Sequence, residues 1–249
     1  MAALNMPILA FDSSTAGCAV ALLRADGTVV ERRPSSDRLF TQPSQTRELL
    51  PLIDEVLRDA QVDYVDLGSI AVGVGPGAFT GLRIGVATAR AIASAMALPI
   101  TPVSSLAALA HGSQFDAVVL SVIDARRKEM FCGVYGPDNA ELVADCVVPR
   151  GELAAFASRA ITEYKAVTAV GDGAIAMQAE LRDAGVEVPA NDQSCHIVSG
   201  AAIGNLSLRI DSVAVNDVLP HYIRESDAQV SSRERWQAVP NDAIAKKSP

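Results

Sequence analysis

The sequence predicts an α/β protein of two lobes, each a mixed sheet flanked by helices. One observation is a strand, an acidic turn and a second strand over residues 8–23, a layout that recurs over residues 117–135. Another is a short apolar run at residues 69–74, followed by a glycine-rich loop and a long helical segment. Strands alternating with helices are typical of α/β folds. The repeated layout indicates a duplication with a cleft between the halves.

Composition and charge narrow the class of protein. The chain has 249 residues, of which 49% are hydrophobic and 4% aromatic, so it can form an aliphatic core in one large domain or two small lobes. Its formal net charge of −8 differs from the basic face that a protein binding RNA by itself usually shows. The densest cationic cluster, residues 126–128, is typical of a solvated hairpin tip. We therefore expect any contact with RNA to come mostly through a partner.

The cysteines and apolar segments predict a location. Four cysteines stand without a Cys-x-x-Cys pair, which argues against a zinc knuckle or a redox motif. The N-terminus lacks a basic region followed by an apolar one, so no signal peptide is predicted. The apolar stretch at residues 84–98 is too short to span a bilayer and contains Arg90. We expect a soluble, reduced, cytoplasmic protein that makes no membrane contact.

The N-terminal turn is the first candidate site. Residues 12–15 place a carboxylate and three hydroxyls between two predicted strands, at 8–11 and 18–23. Actin- and hexokinase-like ATPases approach nucleotide phosphates with such a turn, whereas Asp and Ser also form turns simply by bonding nearby backbone N–H groups. The second interpretation is favoured because Ser13 stands where the actin-like turn has a glycine. The candidates for phosphate contact are Asp12, Ser13, Ser14 and Thr15.

The segment after the third strand, 28–33, predicts a helix over residues 44–60. Ser44 is a suitable N-cap, and apolar residues recur at a helical period along one stripe. Pro51 lies inside this helix. Leu50 and Leu52 fall off the stripe, so they either pack within the molecule or contact a partner.

The glycine loop, Gly75–Arg83, lies between a strand and a helix. Free N–H groups at a helix N-terminus suit an anion, so Gly75 and Gly77 are candidates for phosphate contact. A tight turn without a ligand explains the same residues. A P-loop is excluded because the first lysine is Lys128, and a Rossmann site because no Asp or Glu occurs over residues 67–115.

The helix after this loop carries small residues on several faces, among them Ala87, Ala91 and Ala95. Pro99 and Pro102 are predicted to end it and to mark the passage to the second lobe. Beyond them, serines 104 and 105 cap a short helix that is predicted to end at residues 111–112.

The second lobe is predicted to open with a strand at 117–123, a charged turn at 124–129 and a returning strand at 130–135. Asp124 is its candidate acid, either near phosphates or as ordinary surface charge. The Gly-Asp-Gly at 171–173 follows a short strand at 166–170 and fits either an adenosine loop or a strand-to-helix turn. Further helices are predicted at residues 151–161, 174–184 and 199–211, before a polar tail.

Four motifs together resemble the TsaB family. They are Ile8–Thr15 (ILAFDSST), Gly75–Arg83 (GPGAFTGLR), Ile123–Arg126 (IDAR) and Pro220–Arg224 (PHYIR). The resemblance covers nearly the whole chain and implies the actin/hexokinase-like (ASKHA) fold. It implies an N-terminal lobe at 1–103 with the glycine loop and partner helices, a C-terminal lobe at 104–224 whose last segment is able to pack back on the first, and a polar tail at 225–249.

The same resemblance implies a non-catalytic subunit. TsaB proteins pair with TsaD, the catalyst that makes threonylcarbamoyladenosine in tRNA, and a TsaE-like ATPase is an expected further partner. We expect a homodimer when the chain is alone, tRNA contact only indirectly, and no cofactor in the isolated chain, with ATP or ADP confined to the complex. Catalytic relatives carry a His-x-x-x-His metal pair on the first helix; Gln45 and Leu49 stand at that spacing here, so no metal or catalytic residue is predicted.

Two other functions stay open at this stage. One is an ATP-dependent small-molecule kinase or ATPase of the actin/hexokinase superfamily, which the degenerate phosphate turns oppose. The other is a metallohydrolase, which the missing histidine pair opposes.

Overall fold

The structure, a computed structural model, describes residues 6–35 and 45–223. Ser44, most of the connection at 34–43, Arg224 and the predicted tail at 225–249 lie outside this part of the chain. Within it, no helix combines the length and the apolar character needed to cross a membrane.

The first sheet has five strands in the order β3-β2-β1-β4-β5. β1 pairs antiparallel with β2 and parallel with β4, so the sheet is mixed, as the sequence predicted. The Asp26-Gly27 turn joins β2 to β3, with Gly27 at φ +86°. The bounds are β1 (Ile8–Asp12), β2 (Ala19–Leu23), β3 (Val29–Arg32), β4 (Ser69–Gly75) and β5 (Ile100–Ser104).

The two faces of this sheet bury different helices, because side chains alternate along each strand. Leu9, Phe11 and Val72 face a core shared with α1 (Gln45–Ala60) and α2 (Phe79–Met96). Ile8, Ala10 and Ala71 face a core shared with α3 (Ser105–Ser113) and α7 (Gly200–Ser207). α1 and α2 also contact each other, so they lie side by side on one face of the lobe.

β5 corrects the prediction that Pro99 and Pro102 mark the passage to the second lobe. Pro102 lies inside β5, opposite Val72 of β4, and β5 belongs to the first sheet. A proline lacks the N–H that a central strand needs, but β5 is the last strand of its sheet and tolerates one.

The second sheet has the order β8-β7-β6-β9 and is also mixed. The predicted turn at 124–129 is too long: β6 extends through Asp124 to Arg126, and β7 begins at Glu129. β8, which pairs antiparallel with β7, was not predicted from the sequence. The bounds are β6 (Val118–Arg126), β7 (Glu129–Tyr135), β8 (Glu141–Pro149) and β9 (Val167–Val170).

The remaining helices differ from prediction at their ends. α3 continues to Ser113, and Gln114, not Gly112, takes the left-handed cap position with φ +57°. The predicted helix at 174–184 is two short helices, and the one at 199–211 ends at Ser207. The bounds are α4 (Leu153–Tyr164), α5 (Asp172–Ala176) and α6 (Gln178–Asp183).

The N-terminus of α3 joins the two sheets. Ser104 Oγ caps the helix by accepting from Ala107 N, and it donates to Asp145 of β8 at 2.7 Å. The adjacent Ser105 Oγ donates to Asp12 of β1 at 2.6 Å. Two neighbouring serines therefore connect α3 to one carboxylate of each lobe.

Candidate functional site

Asp12 is the centre of the N-terminal turn. It closes β1 and is buried, with 1% of its surface exposed. One carboxylate oxygen accepts from the backbone N of Ser14 at 2.8 Å and from its hydroxyl at 2.7 Å, and the other accepts from Ser105. Burial raises the pKa of Asp12, and these hydrogen bonds oppose the rise. The side chain thus holds together the turn, β1 and α3.

Four glycines spaced four residues apart pack against this turn. A Cβ added to any of them would lie within 3.0 Å of an atom of residues 12–14, closer than real Cβ atoms approach their neighbours. Close approach to the turn therefore accounts for glycine at these four positions. The four are Gly73 against Asp12, Gly77 against Ser14, and Gly81 and Gly85 against Ser13.

Hydrogen bonds also join the turn to these segments. The glycine contacts and the hydrogen bonds together form an interlock between residues 12–14 and residues 73–85. Ala78 N, at the start of α2, donates to the carbonyl of Ser14 at 2.7 Å. The Ser13 hydroxyl donates to the carbonyl of Gly81 at 2.8 Å. The backbone N of Gly75 donates to Ser105 Oγ at 3.2 Å. The turn thus supplies one acceptor, the Ser14 carbonyl, and one donor, the Ser13 hydroxyl, to the glycine loop and α2. Phosphate contact by Asp12, Ser13, Ser14, Thr15, Gly75 or Gly77 stays a prediction.

Gln45 and Leu49, at the spacing of a histidine pair, also have structural contacts. The Gln45 amide donates to the carbonyl of Thr15, so α1 holds the turn from the side opposite α3. Leu49 is buried in the core beneath α1. Among the described residues, no three His, Cys, Asp or Glu side chains are grouped so that they could hold a metal ion.

Asp124 occupies the corresponding place in the second lobe. Its carboxylate accepts from the backbone N of Arg126 at 2.8 Å, and its backbone N donates to Asp172 at 3.1 Å. Asp172, the first residue of α5, also accepts from Gly173 N at 2.8 Å. Burial raises the pKa of Asp172 to about 6. The sequence placed Asp172 at a helix start but did not predict its contact with Asp124.

The predicted partner residues lie on the neighbouring helices α1 and α2 of the first lobe. Ala87, Ala91 and Ala95 are exposed along one row of α2. Leu50 of α1 has 55% of its surface exposed, whereas Leu52 packs partly against the core. These helices are neighbours, so Leu50 and the alanine row belong to one helix pair.

A cluster at the start of α2 was missed by sequence reasoning. The Tyr222 ring stacks on Phe79 with centroids 5.0 Å apart, and the Arg83 guanidinium lies 3.8 Å above the Phe79 centroid. Arg83 Nε also donates to Tyr222 Oη at 3.1 Å, and His221 N donates to the carbonyl of Val74 at 2.7 Å. The C-terminal motif at 220–223 therefore returns to the glycine loop. Phe79–Arg83 spacing on one helix face was the available signal.

Comparisons with known proteins agree with this architecture. The model of a family described as TsaD, tRNA N6-adenosine threonylcarbamoyltransferase, matches residues 41–179. YeaZ from Pseudomonas aeruginosa superposes with a TM-score of 0.70 at 26% identity, covering 87% of this chain and 99% of that one. A second structure, of an uncharacterized protein with similarity to peptidase YeaZ from Pseudomonas aeruginosa, gives 0.71 at 27% identity and covers 88% and 100%.

Two curated relatives match over part of their length. The tRNA threonylcarbamoyladenosine biosynthesis protein TsaB of Bacillus subtilis (strain 168) is 36% identical over 145 residues, 58% of this chain and 60% of that protein. The protein of the same name from Escherichia coli (strain K12) is 36% identical over 137 residues, 54% and 57%. The chain thus spans less than two thirds of the length of the curated relatives it matches.

Proposed function

The chain belongs to the family described as TsaD, tRNA N6-adenosine threonylcarbamoyltransferase, with TsaB proteins among its relatives, and we propose that it is a non-catalytic subunit. In this proposal it dimerises with a TsaD-like catalyst during threonylcarbamoyladenosine formation in tRNA. The curated relatives carry the TsaB name, and the helix pair α1–α2 supplies a surface for a partner. A TsaE-like ATPase is the expected third component.

The exposed alanine row of α2 carries this proposal. Ala87, Ala91 and Ala95 are separated by four residues each, so they form a smooth ridge beside α1. Small side chains let a second helix approach closely, and the exposed Leu50 of the adjacent helix α1 adds apolar area that water otherwise covers. A similar helix pair on a partner would complete a four-helix interface. A second copy of the chain would use the same surface in an isologous homodimer.

The N-terminal turn supports a non-catalytic role. The hydroxyls of Ser13 and Ser14 donate to acceptors within the chain, and both carboxylate oxygens of Asp12 are engaged. A catalytic turn would need such groups to face a substrate. In this conformation these groups are occupied by contacts within the chain, which supports a structural role for the turn. Nucleotide is expected only in the complex.

The proposal is tested by introducing a charge into the exposed alanine row of α2. Ala91→Glu would place an unpaired carboxylate in the proposed interface, and we expect association to weaken by about 3–5 kcal/mol while the monomer stays folded. Size-exclusion chromatography with light scattering measures the homodimer, and titration with a TsaD-like protein measures the heterodimer. Transfer of threonylcarbamoyl to tRNA is assayed with each protein alone and with both.

Ala155→Glu is the matched control, because Ala155 is exposed on α4 in the other lobe. It should leave association unchanged. Transfer activity should require the TsaD-like protein and fall with Ala91→Glu in proportion to complex formation. Turnover by this chain alone, or unchanged association of the Ala91→Glu variant, would contradict the proposal.

A further inference from the structure

The tip of the β6–β7 hairpin has an unusual composition for its geometry. Arg126 pairs with Glu129, so Arg127 and Lys128 form a two-residue turn between the strands. The φ angles of Arg126, Arg127 and Lys128 are +63°, +52° and +64°, all in the left-handed region. Two-residue hairpin turns with positive φ at both positions strongly prefer Asn-Gly or Asp-Gly.

The β2–β3 hairpin, by contrast, has a glycine at its positive-φ position. Between β2 and β3, Gly27 takes φ +86° and the Asp26 carboxylate accepts from Thr28 N at 2.8 Å. Side chains with a Cβ are disfavoured at positive φ because the Cβ approaches the following carbonyl oxygen. The β6–β7 tip therefore keeps three long cationic side chains where the backbone disfavours them, and such strain is typical of positions with a function.

The cations of the tip are exposed and close together. All three residues are exposed, and the pairing of Arg126 with Asp124 is loose, with 3.5 Å between Nη1 and Oδ2. The backbone N of Arg150 donates to the carbonyl of Lys128 at 2.7 Å, but the Arg150 guanidinium donates to the carbonyl of Ala176, so the charge of the tip is that of residues 126–128. In a chain with a net charge of −8, this is the densest run of positive charge.

We propose that the tip, residues 126–128, contacts the phosphate backbone of RNA while the chain is bound to its TsaD-like partner. The proposal rests on the proposed function, which makes tRNA the polyanion present in the complex, and it replaces the expectation from the sequence that this chain contacts tRNA only indirectly. Adjacent cations without an aromatic or apolar side chain among them suit repeated phosphates, which are bound through charge and without reading sequence. An acidic protein segment is the competing occupant. The acidic remainder of the chain keeps its own affinity for RNA low.

The experiment measures the affinity of the complex for labelled tRNA by fluorescence anisotropy over a range of salt. Arg127→Glu/Lys128→Glu should weaken binding at least about tenfold at low salt. The slope of log K against log salt should fall by about 1.5, because two phosphate contacts are lost and each contributes about 0.7–0.9.

The decisive variant is Arg127→Asn/Lys128→Gly. It gives the turn its preferred residues, so the melting temperature should rise by about 2–4 °C. It also removes two positive charges, so RNA binding should weaken and the salt slope should fall. A variant that is more stable and binds RNA less well separates loss of contact from loss of fold.

Arg159→Gln/Lys165→Gln is the control that removes the same number of positive charges elsewhere. Arg159 is exposed on α4, and Lys165 is the exposed residue that directly follows this helix. This control should bind tRNA like the parent. Parent-like tRNA affinity of the Asn-Gly variant would overturn the proposal. A tip variant that no longer binds the TsaD-like partner but keeps the RNA affinity of the parent would also overturn the proposal, because the tip would then contact a protein.

Failure of the proposed function is distinguishable. If the parent chain forms no complex with a TsaD-like protein, that function fails, and the tip is then measured on the full chain alone at about 50 mM salt. The same order of affinities, with the parent and the α4 control above both tip variants, is expected there. Equal affinities would overturn the phosphate contact independently.

Discussion

The first hairpins of the two lobes share one local geometry and differ in what covers them. In both, an aspartate accepts from the backbone N two residues later at 2.8 Å: Asp12, the last residue of β1, from Ser14, and Asp124, two residues before the end of β6, from Arg126. Asp12 is buried against Gly73 of β4 and bonded to α3, and the next residue, Ser13, lies against the glycines of α2. The turn after Asp124 instead projects an exposed cationic tip. Duplicated strands therefore do not imply duplicated environments.

The difference follows from the helix after the strand that pairs parallel with each hairpin. This helix is α2, after β4, in the first lobe and α5, after β9, in the second. In the first lobe, glycines of the loop and of α2 let the turn pack closely against the helix. In the second lobe, the buried carboxylate belongs to α5: Asp172 accepts from the backbone N of Asp124. Each hairpin thus rests on one buried carboxylate with a raised pKa, but only the first lobe supplies it from the hairpin itself.

Gly81→Ala is the substitution with the largest expected effect on the buried turn of the first lobe. Alanine is favoured over glycine in a helix by about 1 kcal/mol, yet its Cβ would overlap the Ser13 carbonyl, a backbone atom that cannot rotate away. We expect a net loss of about 3 kcal/mol in the free energy of unfolding. Urea denaturation followed by circular dichroism measures it.

Gly151→Ala is the matched control in the second lobe, where a Cβ meets nothing within 4 Å and φ is not in the left-handed region. The expected change is a gain of about 0.4–1 kcal/mol, or none. Equal effects of the two substitutions would show that the interlock does not stabilise the first lobe.

Asp172→Asn tests the buried carboxylate of the second lobe. Because burial raises the pKa of Asp172 to about 6 from an ordinary 3.8, the folded state binds the proton more tightly than the unfolded state. Its contribution to stability therefore increases as pH falls from about 7 to 4, by about 2–3 kcal/mol. Asparagine retains an oxygen acceptor for the N–H groups of Asp124 and Gly173 without the buried charge.

The variant should therefore be more stable than the parent at pH 7–8, and the difference should vanish near pH 4. Thermal unfolding at a series of pH values measures both curves. Asp12, whose pKa is also raised, leaves a slope of the same sign in the variant. A parent and a variant with parallel curves would contradict a raised pKa for Asp172.

The strands that were predicted correctly are those whose segments show a single clear hydrophobic pattern. The TsaB resemblance and the two-lobed fold with mixed sheets are confirmed. Continuous apolar runs identified β1, β4 and β6 because these strands are central and buried on both faces. β5 was missed because Pro102 usually excludes a strand, and β8 because its alternation is broken and most of its residues are at least partly exposed.

The candidate site was less predictable. Gly77, the Asp12 carboxylate and the hydroxyls of Ser13 and Ser14 were singled out, whereas Gly73 and Gly85 were not. Sequence order also does not say that Gly73–Gly85 would lie against residues 12–14, because that contact joins segments about sixty residues apart. Asp172 likewise meets Asp124 across 48 positions of the chain. Tertiary contacts of this kind depend on how a helix sits on its sheet, which local patterns do not specify.

The smallest expected effect separates the two aspartate turns by their side-chain contacts. Ser14→Ala removes a buried hydroxyl that donates to Asp12 at 2.7 Å, and it leaves a buried carboxylate with one donor fewer, at a cost of about 1–2 kcal/mol. Arg126→Ala removes a side chain that is 68% exposed and lies 3.5 Å from Asp124, so its expected cost is within about 0.5 kcal/mol. The backbone turn survives in both variants because Asp12 and Asp124 still accept from the backbone N two residues later. Denaturant titration at pH 7 measures each loss, and repeating it at about 1 M salt should abolish the Arg126 effect while leaving the Ser14 effect, since salt screens exposed charges much more than buried ones. A loss for Arg126→Ala as large as for Ser14→Ala would mean that the second tip stabilises its lobe as the first turn does, and its cations would then have a structural explanation.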